Sequence, residues 1–92
     1  MKKYRRKPAV IEAIQWNGHN FDECMEFMRE DCGNKMAYED YEEQCINFGK
    51  ITIHKTNRNI TASKGDYIVK AVNGEFYPFK PDIFNKMYEE ID

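Results

Sequence analysis

The clearest pattern of apolar and polar residues begins at Gly65 and predicts a β-hairpin. Two short runs rich in β-branched and aromatic residues lie on either side of Asn73-Gly74, a dipeptide typical of a two-residue type I′ turn. Such a turn pairs Lys70 with Tyr77 on one face of the hairpin. We therefore expect a cation, a hydroxyl group and an aromatic ring on the same side of the sheet.

Two segments have the apolar periodicity of amphipathic helices. The first covers residues 20–31; it begins with Asn20 in a capping-box pattern, and Gly33 follows as a stop signal. The second covers residues 81–91 and begins with Pro81, which suits the first helical position because it has no N–H group to leave unpaired. We expect both helices to cover one face of the sheet.

The remaining apolar runs predict short strands, whereas residues 34–43 have no clear pattern. The additional predicted strands are 8–16, 45–48, 50–55 and 60–62. Because the first of them is apolar on both faces, we expect it to be central. The connections are short, so the sheet should contain four to six mostly antiparallel strands. The sequence thus predicts one α+β domain over residues 1–92, with a basic arm at 1–7.

Size and charge narrow the classes of function. A chain of 92 residues supports one small core, so a binding site must be a surface groove or a subunit interface. The net charge of -2 gives no general electrostatic support to a nucleic-acid partner, and we expect none. Residues 2–7 are nevertheless rich in Lys and Arg, and 22–43 in Asp and Glu. The basic arm could bind phosphates or an anionic surface, remain solvated, or pair with the acidic segment of a neighbouring subunit.

The chain has no pattern typical of secretion or of membrane insertion. No apolar stretch follows the basic start, and no window approaches the roughly 20 apolar residues of a membrane helix. The three cysteines are odd in number and predict no disulfide framework. We therefore expect a cytoplasmic protein.

Catalytic and metal-binding signals are weak. Neither His19 nor His54 has a Ser, Cys or carboxylate at a spacing that fixes a catalytic triad, and the cysteines lack the paired spacing of a zinc site. No glycine-rich phosphate loop occurs. We predict a non-enzymatic protein without a metal or cofactor.

Aromatic and basic residues near the hairpin are the candidate ligand-binding residues. Lys80 precedes a helix N-terminus, which either attracts an anion or is capped by its own Asp82. Asp66 is either a turn residue or a polar contact in a pocket. Trp16 either stacks on a base or anchors the core. The candidate residues are Trp16, Asp66, Lys70, Tyr77, Phe79 and Lys80.

Several motifs resemble a family of small proteins encoded by bacteriophages and prophages, chiefly of Gram-positive bacteria. They are the Gly-Asp-Tyr-Ile run at 65–68, Asn-Gly-Glu-Phe-Tyr-Pro at 73–78, Lys-Pro-Asp-Ile-Phe at 80–84, and the opening segments 3–8 and 11–16. Phe79 stands where many relatives have Cys, which argues against a shared thiol chemistry. The resemblance implies a phage origin and a bacterial host cell, and it supplies no catalytic residues.

From these observations we predict a phage-encoded homo-oligomer that sequesters a host nucleotide-type immune signal. Lys70 and Lys80 would hold phosphates, while Tyr77 and Trp16 would stack on bases. Two alternatives stay open. The protein could be an interaction module that binds a host or phage protein through the acidic 38–43 region or the basic arm. It could also bind nucleic acid through residues 2–7.

Overall fold

A computed structural model describes residues 11–30, 33–55 and 58–89, which form three helices and five strands. The strands make two antiparallel sheets, one of three strands and one hairpin of two strands. The predicted α+β class is confirmed, whereas the basic arm and the start of the predicted first strand lie outside the described residues. In chain order the elements are β1 (Glu12–Gln15), α1 (Phe21–Met28), α2 (Lys35–Phe48), β2 (Lys50–His54), β3 (Asn59–Ser63), β4 (Tyr67–Lys70), β5 (Phe76–Phe79) and α3 (Pro81–Met87).

One hydrophobic core joins the helices α1 and α2 to both sheets. The β2 strand, predicted at 50–55, contributes Ile51 and Ile53, which alternate with more exposed residues. The central strand β4 contributes Ile68, which is fully buried. The core residues of α1 are Phe21, Cys24, Met25 and Met28. These are the apolar positions of the predicted helical stripe, so the inner face of α1 is confirmed.

The ends of α1 differ from the prediction. The helix ends at Met28, and Arg29 takes the left-handed conformation (φ 55°) that was expected of Gly33. Asn20 precedes the helix, but its side chain does not cap it. Instead Asn20 Oδ1 accepts a hydrogen bond from the backbone N–H of Asn17 at 3.0 Å. The predicted capping box is wrong because this side chain stabilises the β1–α1 connection.

The segment without a clear pattern belongs to the longest helix, α2. Asn34 caps its start by accepting a hydrogen bond from the N–H of Ala37 at 2.8 Å, and Gly49 ends it in the left-handed region (φ 66°). The predicted strand at 45–48 is therefore wrong. Cys45 is the one buried residue of α2. Tyr38 and Tyr41 also pack against the core from this helix, so its inward stripe is mostly tyrosine and gives a weak apolar signal in the sequence.

The β4–β5 hairpin reverses at the predicted place with a different register. Lys70 pairs with Phe76 instead of Tyr77. The loop has three residues, because the N–H of Ala71 donates to the carbonyl of Glu75 at 2.8 Å. Its last residue is a glycine at φ 85°, as the left-handed position of a three-residue loop requires. A shift of one residue moves the side chains of one strand to the other face.

The helices α1 and α3 lie on opposite faces of the three-stranded sheet. Phe76 contacts Phe27 of α1 with ring centroids 5.5 Å apart, whereas Tyr67 stacks on Phe84 of α3 at 3.9 Å. Tyr67 pairs with Phe79, three residues from Phe76, so these two rings point in opposite directions. The structure thus differs from the prediction of both helices on one face. Within the described residues β1 is an edge strand, because β4 lies between β1 and β5.

Candidate functional site

Trp16 is a core residue and cannot stack on a ligand. Its side chain is fully buried, and the indole Nε1 donates a hydrogen bond to the carbonyl of Gly49 at 3.1 Å. Its backbone N–H donates to the carbonyl of Asp66 at 2.9 Å. The predicted role in base stacking is therefore wrong, and the alternative of a core anchor is confirmed.

Asp66 organises the turn before β4. Its Oδ2 accepts a hydrogen bond from the N–H of Ser63 at 2.9 Å, and its own N–H donates to the Ser63 carbonyl at 2.8 Å. The exposed Lys80 places Nζ 3.5 Å from Asp66 Oδ1. Two predicted site residues therefore lie together, but the carboxylate of Asp66 already forms an ion pair with the ammonium group of Lys80.

The hairpin register separates Lys70 from Tyr77. Tyr77 pairs with Val69, the neighbour of Lys70, so the two side chains point to opposite faces of the sheet. The predicted joint site of a phosphate-binding cation and a stacking ring is wrong for this reason. Phe79 lies on the same face as Tyr77, half-buried against Tyr88 at a centroid distance of 6.3 Å.

A different lysine supplies the cation at Tyr77. Lys55, just after β2, places Nζ 3.1 Å from the centroid of the Tyr77 ring and 3.9 Å from Oε2 of Glu75. The Tyr77 hydroxyl donates to the same carboxylate. That hydrogen bond, the charge of Lys55 and a contact from Asn73 lower the pKa of Glu75. Sequence reasoning missed Lys55, because nothing near residue 55 indicates that it meets β5.

An open groove lies between α2 and the outer face of the β2-β3 hairpin, with a volume of about 420 Å³. On its floor, the hydroxyl of Tyr41 accepts a hydrogen bond from the N–H of Thr52 at 2.9 Å. Burial raises the pKa of this hydroxyl above its ordinary value. Phe48, 75% exposed, stands on one wall. The lining residues are Tyr41, Gln44, Cys45, Phe48, Lys50, Thr52 and Thr61.

The outer face of α2 is acidic with apolar residues towards both ends. Glu39, Asp40 and Glu43 are exposed on this face, and Lys35 contacts Glu39 at 4.0 Å. Met36 is 75% exposed near the start of the helix. The exposed Ile46 lies near its end. The face therefore combines carboxylates with uncovered apolar surface.

Neither an activated Cys24 thiol nor a metal-binding cluster occurs among the described residues. Burial, with the nearby carboxylate of Glu23, raises the pKa of the Cys24 thiol to about 11, the opposite of an activated thiol. His54 contacts Asn59 at 3.1 Å. No group of three His, Cys, Asp or Glu side chains in the described segments could hold a metal ion. None of the helices in this part of the chain is long and apolar enough to span a bilayer.

Comparison with protein-family models, curated proteins and solved structures gave no match. The phage resemblance therefore stays a prediction.

Proposed function

We propose that this protein is a non-enzymatic protein-binding module that uses the outer face of α2. The observation that carries the proposal is a helix of 14 residues with one buried residue. Its solvent side presents Glu39, Asp40 and Glu43 between the apolar side chains of Met36 and Ile46. This face overlaps the acidic 38–43 region, which with the basic arm was one of the two surfaces of the alternative prediction of a protein-interaction module.

The chemistry of this face indicates what it would bind. Exposed apolar side chains gain free energy when a partner removes them from water, and they supply the centre of an interface. Carboxylates around them attract a positively charged partner and fix its orientation. We therefore expect a protein segment that combines Lys or Arg with one or two apolar residues.

Affinity capture with matched variants tests the proposal. The immobilised protein is exposed to a lysate of Gram-positive bacteria, the host class that the resemblance implies. A variant with Glu39→Gln, Asp40→Asn and Glu43→Gln removes three charges from α2. The control variant removes three exposed charges elsewhere, with Glu12→Gln, Glu26→Gln and Glu89→Gln.

We expect one protein in constant stoichiometry with the wild type and the control, and at least about tenfold less with the α2 variant. Capture should weaken as salt screens the charges. Equal capture by all three proteins, or no captured protein, would contradict the proposal. Purified partner and a titration would then give the affinity directly.

A second candidate function is the binding of a nucleotide-type signal in the groove beside α2. Phe48 offers an exposed ring for stacking, Lys50 offers a charge for a phosphate, and Thr52 offers a hydroxyl. This proposal includes a phage origin, the sequestration of an immune signal and a homo-oligomeric state, as the prediction from the sequence does. In this proposal the groove takes the ligand-binding role that was predicted for Trp16, Lys70 and Tyr77, which do not form a common site in the fold.

Calorimetric titration with cyclic dinucleotides and ADP-ribose derivatives tests this second candidate. We expect heat from at least one of them, lost in Phe48→Ala and in Lys50→Gln. The control Lys70→Gln lies in the other sheet and should bind normally. No heat from any member of the panel would remove this candidate.

A further inference from the structure

The short helix α3 exposes two apolar side chains although its inner side is already packed. Phe84 stacks on Tyr67 with ring planes 7° apart, and Tyr88 lies beside Phe84 at a centroid distance of 5.2 Å. These contacts fix the rotation of the helix against the sheet. Ile83 and Met87, one turn apart, consequently face solvent and are 46% and 43% exposed.

Two opposite charges run beside this apolar pair. Asp82 and Lys86 are four residues apart and exposed, so they form one row along the helix. Neither has an ion-pair partner within the described residues. The row is negative near the start of the helix and positive near its end. A row of this kind is complementary to an antiparallel copy of itself.

We propose that two copies of this chain associate through α3 as an antiparallel, two-fold symmetric pair. A two-fold axis across the helices brings the same flank of both copies together with reversed direction. Asp82 of each copy then faces Lys86 of the other, and Ile83 and Met87 of both copies meet beside them. A parallel pair brings different flanks together and loses both charge contacts, so the charges favour one orientation.

The association should be weak. The helix has seven residues, and their contact alone is smaller than the roughly 1,200–2,000 Å² of a stable interface. We therefore expect a reversible dimer that is measurable only in concentrated solution. This surface is separate from the outer face of α2, so either proposal can fail without the other.

Exchange of charges tests the geometry. Asp82→Lys makes the row positive in both positions, and Lys86→Asp makes it negative in both. Each variant alone places like charges opposite each other, whereas a mixture of the two places opposite charges in both contacts. A control variant, Glu26→Lys, reverses an exposed charge on α1 and leaves α3 unchanged. Circular dichroism and the emission of Trp16 report whether every variant is folded.

Sedimentation velocity over increasing protein concentration gives the outcome. We expect the wild type and the control to approach the dimer mass, each α3 variant alone to associate at least about tenfold more weakly, and the equimolar mixture to recover a heterodimer. A wild type that stays monomeric up to millimolar concentration would overturn the proposal. So would single variants that associate like the wild type, or a mixture that associates no better than its components.

Discussion

The ammonium group of Lys55 lies 3.1 Å from the centroid of the Tyr77 ring, with the lysine side chain only 14% exposed. Lys55 follows β2 and Tyr77 belongs to β5, so this contact joins the two sheets. Glu75 accepts a hydrogen bond from the tyrosine and pairs with the lysine. The charges of Lys55 and Glu75 therefore compensate each other, and the cluster links elements that are distant in sequence.

Removal of this cation should destabilise the fold. Lys55→Met keeps most of the aliphatic chain and deletes the charge above the ring. Since a largely desolvated cation–π contact contributes up to about 2 kcal/mol, we expect the free energy of unfolding to fall by about 1–2 kcal/mol in urea denaturation. Lys35→Met, at an exposed ion pair, is the control and should change it by less than about 0.5 kcal/mol. Equal effects of both substitutions would contradict the structure.

The carboxyl group of Glu75 should titrate below its ordinary pKa of 4.5 in the folded protein. The folded state then binds fewer protons than the unfolded state between the two pKa values. Its contribution to stability is present above the unfolded pKa and is lost as pH falls through the folded pKa. Carboxyl chemical shifts followed by NMR give the value, and Tyr77→Phe should raise it. No change in the variant would rule out the hydrogen bond as the main cause.

Cys24 should react slowly with thiol reagents. A pKa of about 11 instead of 9.0 lowers the thiolate fraction at neutral pH about hundredfold. In the variant Cys32→Ser, Cys45→Ala, where Cys24 is the sole thiol, we expect slow labelling in buffer and fast labelling in denaturant. Stability that depends on the protonated thiol is present below pH 9.0 and is lost as pH rises through about 11. Equal labelling rates in buffer and in denaturant would contradict this burial.

The three-residue loop of the β4–β5 hairpin requires a left-handed residue at Gly74. An added Cβ meets nothing within 4 Å, so its cost is conformational alone. We expect Gly74→Ala to lower the free energy of unfolding by about 1 kcal/mol, and Gly74→Asn to lower it less because Asn tolerates this conformation. Thermal unfolding of the two variants makes the comparison. An alanine variant as stable as the wild type would argue for another loop geometry.

Local signals predicted those parts of the fold in which a few neighbouring residues decide the structure. Pro81 begins α3 as expected, and the alternation around Ile51 and Ile53 identifies both the strand β2 and its buried face. The hairpin shows the limit of such signals. Asn73-Gly74 is compatible with loops of two or three residues. This difference of one residue in loop length decides whether Tyr77 shares a face with Lys70.

The candidate sites depended on contacts that no local pattern contains. Lys55, which follows a strand of one sheet, meets Tyr77 of the other, and Trp16 is buried in a core to which helices and strands from distant parts of the chain contribute. The helix α2 was missed for a different reason. Its inward residues Tyr38, Tyr41 and Cys45 have helical spacing, but two of them carry hydroxyl groups, so the apolar signal of this stripe is weak.

The hydrogen bond between the Tyr41 hydroxyl and the N–H of Thr52 also hinders the pairing of β2 with a strand of another molecule. Strand β2 pairs only with β3 among the described strands, so its other edge is open, and an open backbone edge is a template on which another chain can add a strand. The side chain of Tyr41 occupies one of the donors on that edge. Detachment of α2 would uncover this donor, so local opening of the helix would expose the strand edge to pairing with another chain.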